Sequence, residues 1–460
     1  MKVRLISLTP TGYPNLALMK LSAYHKAHGD EVSLDEPEPD LVYVSSPFSQ
    51  YKNACDYSKM FPDAKIEYGG YGFSDKKLPY NIEHCFDDKT EILTEVGWKS
   101  FKNLNYNDFI CTLNPLNSNI EYQPPIKIIS NRYSGKMILC ESDYINFCVT
   151  PDHKLYINKK DGKGWETGFR LRRAEEVLGK TALEFKKDGV WKGKKTQYFT
   201  LPAVEHFRTG FRPYNNKGQP QKIVMEVWLE FLGYFLSEGH ASYDKNSGAF
   251  RVTIAQTTTS KYYNNIKNCL DKLGLNYSYS PSQFSIKNKQ LCSYLSTLGN
   301  TYTKHIPIEI KRLSSPQLRI LLDAFGRGDG TFEANAWRFF SSSKQLIDDI
   351  QELLLKTRSC GDIRIHRLAD ANHVINYQIR AYNEYLTPVM LNHSNKRALK
   401  EIEYNGNIYC CEVPNHIIYV RRNGVTMWSG NSMPDYSIFN CDHSLGFTTR
   451  GCFRNCWFCI

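Results

Sequence analysis

Cys85-Phe-Asp-Asp-Lys-Thr-Glu-Ile-Leu-Thr94 and, far downstream, Val425-Thr-Met-Trp-Ser-Gly-Asn431 with Ser432 directly after it, are the stretches on which the reading of this chain turns. A peptide bond is stable, so a chain that rearranges one must first convert it to an ester. A cysteine thiol is both a good nucleophile and a good leaving group for that step. An asparagine side-chain amide can cyclise on its own carbonyl, and a hydroxyl can receive an acyl group. All three side chains stand at breaks in the character of the sequence.

Charge marks the same breaks. The chain has 460 residues and a formal net charge of +11. Residues 85–431 carry +13, residues 1–84 carry −2 and residues 432–460 carry 0. The whole basic excess therefore lies between the breaks, either as a surface that meets a polyanion or as a solvated basic face. No apolar run has the roughly 18–20 residues that a membrane helix needs. The start, Met-Lys-Val-Arg-Leu-Ile-Ser-Leu, is too short in its apolar part for a signal peptide and reads as a strand. Fourteen cysteines in a chain without an export signal point to thiols and metal ligation, not to a disulfide framework. A cytoplasmic protein with no membrane partner is expected.

The length allows two to four domains. Residues 1–84 read as the start of an α/β unit: strand Val3–Leu8, helix Pro14–His28, strand Leu41–Ser45, helix Tyr51–Phe61, strand Lys65–Tyr68, then Gly69-Gly70 at a strand end, where such sheets place ligand loops. From 85 to about 205 the pattern changes to short alternating strands, such as Lys136–Cys140 and Asn146–Val149. Helical periodicity dominates 222–395 and contains a repeat. The first copy runs Leu232 to Glu238-Gly239, Phe250 to Ile254, then Ser260–Leu273; the second runs Leu321 to Asp329-Gly330, Trp337 to Phe340, then Ser343–Leu354. The β texture returns from about 400 to 431, so the all-β part is split by the repeat.

With Thr150-Pro-Asp-His153 and His416, the residues at the two ends resemble those of inteins, the protein-splicing elements, over about three quarters of the chain. The resemblance implies a Hint-type all-β splicing domain that needs no cofactor, with 1–84 and 432–460 as the flanking exteins. It implies that Cys85 attacks the carbonyl of His84, while Thr150 and His153 polarise that amide and His153 protonates the departing amine. Ser432 then takes the acyl group, Asn431 cyclises with help from His416, and an O-to-N shift joins His84 to Ser432. Two departures stand out. The residue before Asn431 is often histidine in this family and here is Gly430, which raises the demand on His416. Where many members carry aspartate there is Cys410, either a helper or, as in a minority class, the initial nucleophile; the presence of Cys85 favours the ordinary route.

The repeat resembles the LAGLIDADG homing endonucleases. Two helices pack through small residues, here Gly233 and Ala324-Phe325-Gly326, and end in acids beside glycines, Glu238 and Asp329. The resemblance implies an α+β domain in which these carboxylates hold Mg²⁺ or a similar ion against double-stranded DNA, the target being the host gene without the insertion. A catalytic lysine is implied as well, but its position is not given by the sequence. The inserted segment is expected to act as a monomer.

In the last segment, Cys452, Cys456 and Cys459 lie in Cys-x3-Cys-x2-Cys, which resembles the radical SAM signature. Three thiolates imply a [4Fe–4S] cluster with one iron open for S-adenosylmethionine; a zinc loop is the alternative. Residues 1–84 resemble the cobalamin-binding-like domain found before some radical SAM domains, but lack Asp-x-His-x-x-Gly, so cobalamin is not expected. The chain reaches only one residue past the motif, and radical chemistry is expected of a longer protein. The fold expected is thus multidomain: an all-β Hint domain (85–205 and 400–431) split by a pseudo-twofold LAGLIDADG domain (222–395), between an α/β host domain (1–84) and the start of a radical SAM domain (432–460). Two alternatives stay open: a splicing segment whose nuclease has decayed, and a radical SAM enzyme with a non-splicing accessory domain.

Overall fold

The computed structural model describes residues 1–8, 15–46, 56–69, 73, 85–161, 164–179, 182–208, 214–244, 248–333, 335–370, 374–383, 386–391 and 399–431. The chain forms two compact units, one of Met1–Glu83 with Met433–Ile460, the other of His84–Ser432. Eight α-helices are present among the described residues. No helix among them is long and apolar enough to cross a membrane.

The first unit holds a parallel sheet in the order Glu31–Ser33, Lys2–Ser7, Leu41–Ser45, Lys65–Gly69. Helix α1 (Leu16–Ala27) follows the first of these strands in sequence. Asn15 starts it, its side chain accepting from the amides of Ala17 and Leu18 at 3.1 and 3.3 Å, which satisfies two donors that a helix start leaves open. The second expected helix is a single turn, α2 (Tyr57–Met60). Gly70, Tyr51–Cys55 and the residues from Ser432 onward lie outside the described residues.

In the second unit the expectation of short strands fails at one place. Lys136–Cys140 is the end of a 15-residue strand, Lys127–Glu141, paired antiparallel with Lys400–Glu412 along the whole length of that strand. The strand runs on through Ser130-Asn-Arg-Tyr-Ser-Gly135 because it pairs with a partner nearly three hundred residues away. Asn146–Val149 adds a third strand. A larger sheet brings together Thr90–Thr94, Ile110–Leu113, Lys154–Asp161, Ala182–Phe185 and the hairpin Ile417–Arg422/Val425–Gly430. Phe86, Phe147, Phe185 and Val420 belong to the core of this all-β part.

The repeat is a pair of matching halves. The first is α3 (Met225–Glu238), two strands, α4 (Tyr263–Leu273), two strands and α5 (Lys289–Ser296). A short α6 (Ile308–Lys311) leads to the second: α7 (Ser315–Asp329), two strands, α8 (Lys344–Lys356) and two strands. Each half has a four-stranded sheet with the same order, first-second-fourth-third. Helix α3 is apolar over most of its surface, and α7 turns its apolar side, Leu318, Leu321, Leu322, Ala324 and Phe325, into the same core. A Cβ on Gly233 would stand 2.6 Å from Ala324 Cβ, and one on Gly328 would meet Ser237. Gly326, expected at this helix contact, faces Trp337 of its own half instead; Gly328 takes the role, one half-turn further on.

Two boundaries shift. Phe199 and Leu201 belong to the core of the repeat domain, and Tyr198–Leu201 pairs with Gln221–Val224, so the all-β part ends before 205. Val389–Leu391 pairs with Ala182–Phe185, so the repeat domain ends before 395.

Candidate functional site

Cys85 is fully buried, and its amide nitrogen belongs to the bond with His84. That N–H donates to Thr150 Oγ1 at 3.1 Å, while the Thr150 N–H donates to the Cys85 carbonyl at 3.0 Å. The threonine hydroxyl therefore meets the nitrogen of the bond that Cys85 would open. Phe86 exchanges both backbone hydrogen bonds with Tyr409, at 2.8 and 2.9 Å, and also bridges to Val149. In antiparallel register this places Cys85 beside Thr150 on one side and Cys410 on the other. Cys410 is fully buried too.

Thr150-Pro-Asp-His153 forms a turn, closed by the His153 N–H on the Thr150 carbonyl at 3.0 Å. His153 Nε2 lies 2.9 Å from Ser429 Oγ, and its ring packs edge-on against Phe86 at 4.3 Å between centroids. Ser429 is two residues before Asn431. The Asn431 N–H donates to the His416 carbonyl at 3.1 Å, and Asn431 Oδ1 lies 3.3 Å from His416 Nδ1. Asn431 is fully buried, and its Nδ2, the atom that would attack, has no hydrogen-bond partner among the described residues. His416 adopts a left-handed backbone, φ 54°, held from its neighbour: Asn415 Nδ2 donates to Thr112 Oγ1 at 3.0 Å and to Glu121 Oε2 at 2.9 Å. Cys85, Thr150, His153 and Ser429 thus form one series of contacts, and His416 and Asn431 form a second, two residues further along the chain from Ser429. Ser429 was missed by the sequence reading and carries no signal there; only the fold puts a hydroxyl on His153.

The departure at Gly430 has a steric cause. A Cβ there would stand 2.4 Å from the Lys154 carbonyl oxygen and 2.6 Å from Leu171 Cδ2. No side chain fits, so this site has no room for a histidine before Asn431.

The second set of expected residues lies at the ends of α3 and α7. Glu238 and Asp329 are the last residues of these helices, brought side by side by the close helix contact. Burial, then the charge of Asp329, pushes the Glu238 carboxyl up to about 7, with Lys304 opposing. Burial also raises Asp329, again against Lys304. Lys304, a residue the sequence did not single out, lies beside both carboxyls. It is buried, and its Nζ donates to the carbonyls of Phe235, Leu236 and Gly239 at 2.8, 3.0 and 2.8 Å, closing the end of α3. Burial lowers its pKa to about 8, against the two acids. The residues suit a divalent cation: two carboxyls crowd at negative helix ends, and the Lys304 amine beside them is spent on backbone carbonyls. Cys452, Cys456, Cys459 and Ser432 lie outside the described residues.

No family model matches the chain. Among curated proteins it is similar to the ATP-dependent Clp protease proteolytic subunit of Chlamydomonas moewusii, 27% identical over 293 residues, covering 61% of this chain and 28% of that protein. It is also similar to the DNA-directed RNA polymerase subunit beta C-terminal section of Stigeoclonium helveticum, 27% identical over 406 residues, covering 76% of this chain and 36% of that protein. The chain therefore spans about a third of the length of these relatives. Solved structures similar to parts of it include a variant of the homing endonuclease I-DmoI in complex with its target DNA in the presence of magnesium, at 15% identity and TM-score 0.28, covering 34% of this chain and 89% of that one. Another is a splice-inactive variant of the AceL NrdHF class 3 split intein, at 15% identity and TM-score 0.17, covering 30% and 77%.

Proposed function

We propose that residues 85–431 are a self-splicing segment that carries a DNA endonuclease and interrupts a radical SAM protein. The observation that carries the splicing reading is the contact series Cys85–Thr150–His153–Ser429, continued along the chain to Asn431 and His416. It draws on residues from both ends of the segment. Two curated relatives with unrelated printed names share sequence with this chain, which supports a module that moves between hosts. The larger match, 76% of the chain, is close to the share that 85–431 makes up.

In this reading the Cys85 thiol attacks the His84 carbonyl carbon, the C–N bond breaks, and the Cys85 amine leaves with a proton. Thr150 Oγ1 holds the N–H of that bond and polarises it, and His153, carrying the proton given up by the Cys85 thiol, is the general acid that protonates the amine. Ser432 Oγ then displaces the Cys85 thiolate, moving the acyl group to an ester. Asn431 Nδ2 attacks the Asn431 carbonyl, expelling the Ser432 amine; His416 at Asn431 Oδ1 orients the amide. The free amine takes the acyl group from oxygen to nitrogen, leaving a normal peptide bond between His84 and Ser432.

For the nuclease, Glu238 and Asp329 would hold a divalent ion, which supplies charge against a phosphate and activates water. Lys304 fixes the end of α3 and the direction of Glu238. The four-stranded sheets and the +13 charge suit a duplex. The host reading rests on Cys452, Cys456 and Cys459, which would ligate a [4Fe–4S] cluster binding S-adenosylmethionine.

The test is freshly synthesised protein with a C-terminal tag, followed over time by mass. Release of a segment spanning 85–431 that ends in the cyclised Asn431 imide or its hydrolysis product, together with a tagged product in which His84 is joined to Ser432, is expected. A single intact species at all times, in reducing buffer, overturns the splicing reading. For the nuclease, purified segment and Mg²⁺ are incubated with a plasmid carrying the joined junction; intact plasmid at all salt and protein concentrations means a decayed nuclease.

A further inference from the structure

The reactive ends of the splice site sit on one hairpin. Ile417–Arg422 and Val425–Gly430 pair residue for residue, from Arg422↔Val425 at the turn to Ile417↔Gly430 at the open end, where His416 and Asn431 follow. The turn is Asn423-Gly424, both with positive φ (50° and 81°), the arrangement of a tight two-residue turn. An isolated hairpin is marginally stable in water, so its angle and register depend on what grips it.

What grips it is the second half of the repeat domain. The Gly424 carbonyl accepts from the Ile363 N–H at 3.0 Å and from Gln351 Nε2 at 2.9 Å. A Cβ on Gly424 would stand 2.3 Å from the Ile363 carbonyl, so the turn is seated without clearance. The Thr426 N–H donates to Asp362 Oδ1 at 3.2 Å, a carboxylate that also takes both its bonds from buried Lys187. Near the turn end of the first strand, Arg421 is 1% exposed. Its guanidinium holds Glu91 of the strand after Cys85 at 2.6 and 3.0 Å, lies over Trp98, and reaches Gln351 Oε1 at 3.0 Å and Asp348, both on α8. One side chain thus joins the hairpin, the Cys85 strand and a helix of the repeat domain.

We infer that α8 is a working part of the splice site: Arg421, fixed by Gln351 and Asp348, is a positioning residue that sets His416 and Asn431 for asparagine cyclisation. The inference rests on the splicing function proposed above. A buried guanidinium must be fully partnered, so its acceptors dictate where the strand lies. A contact made only to pack two domains would be expected at the periphery of the sheet. This one is on the strand that begins one residue after His416, and the turn it supports is the same strand's other end. Splicing and the repeat domain are therefore coupled mechanically, and a segment trimmed of its second half loses the support of its own C-junction.

The test uses substitutions on α8, outside the reacting residues. In tagged full-length precursor, Gln351→Leu and the double variant Gln351→Leu/Asp348→Asn are compared with wild type for two rates: cleavage at the N-junction driven by added thiol, and spontaneous cleavage at the C-junction. Loss of fit at the hairpin is expected to slow C-junction cleavage by about 10–100-fold while the N-junction rate changes by less than about 3-fold, since ångström displacements cost rates of that order. Gln351→Glu, which keeps an acceptor for Arg421 but loses the donor to Gly424, falls between. Equal losses at both junctions, or no loss at either, overturn the inference. A wild type that cleaves at neither junction overturns the splicing reading itself, and is read separately from the variants.

Discussion

Replacing Glu238 by glutamine is expected to make the metal-free protein more stable, and by an amount that depends on pH. Burial first, and the neighbouring Asp329 second, raise the Glu238 carboxyl from 4.5 to about 7. At about 1.4 kcal/mol per pKa unit that is roughly 3 kcal/mol of unfavourable ionisation; the site is only half-buried and partly screened by water, which leaves about 1–2 kcal/mol. Below pH 4.5 both folded and unfolded chains hold the proton and the cost is absent. As pH rises from 4.5 through 7 the unfolded chain loses its proton first, so wild-type stability falls; above 7 the full cost is present. Glutamine cannot ionise. The difference in Tm, variant minus wild type, is expected to grow from near zero at pH 4.5 to about 2–8 °C at pH 8, taking about 2–4 °C per kcal/mol. The measurement is thermal unfolding in chelator across that range, in a Cys85→Ala/Asn431→Ala background that stays intact. Added Mg²⁺ should reverse the order by stabilising only the wild type. A variant no more stable than wild type at pH 8, or a difference that ignores pH, refutes the picture of two crowded carboxyls awaiting a cation.

The junctions should separate chemically: Cys85→Ala is expected to abolish ligation while C-junction cleavage continues, and Asn431→Ala to leave the C-junction whole; ligation by the Cys85→Ala variant on gels would make Cys410 the first nucleophile. Loss of His416 should slow asparagine cyclisation, and loss of His153 the first acyl shift, each by about 10²–10⁴-fold; single-turnover rates within a few-fold of wild type would remove these roles. Gly430→His, which would restore the residue common in the family, is expected to impair C-junction cleavage because Lys154 and Leu171 occupy the space; faster cleavage would contradict the packing. Asp329→Asn should abolish plasmid cleavage yet keep DNA binding in a gel-shift assay, and cleavage by wild type should rise between pH 6 and 8 as Glu238 ionises and admits the metal.

The sequence was legible where chemistry restricts the choice of residue. Cysteine, asparagine and serine at two composition breaks have few other joint explanations, and an acid beside a glycine twice over at matching places in a repeat announces a paired helix end. It was not legible where only distance in space matters. Lys304 lies 66 residues after Glu238 in sequence, and nothing local distinguishes it from the other lysines; the fold of the first half folds its amine onto the end of α3. Ser429 and Gln351 are ordinary polar residues until His153 and Gly424 are brought to them. The strand at Lys136–Cys140 is longer than expected because its partner is remote in sequence, and Gly326 misleads because helical spacing says which residues are small but not which neighbour needs them small.

The long pairing of Lys127–Glu141 with Lys400–Glu412 has a consequence for the order of events during synthesis. Tyr409, which holds the residue next to Cys85, and Ser429, which meets His153, both emerge more than three hundred residues after Cys85. At about 5–20 residues per second, Cys85 waits roughly 15–65 s on the ribosome before its surroundings exist. During that time the bond at Cys85 has its Thr150 contact but lacks the partners that Tyr409 and Ser429 bring. In the splicing reading proposed above, the topology of the fold sets the timing: the first junction is completed only by strands that are made last.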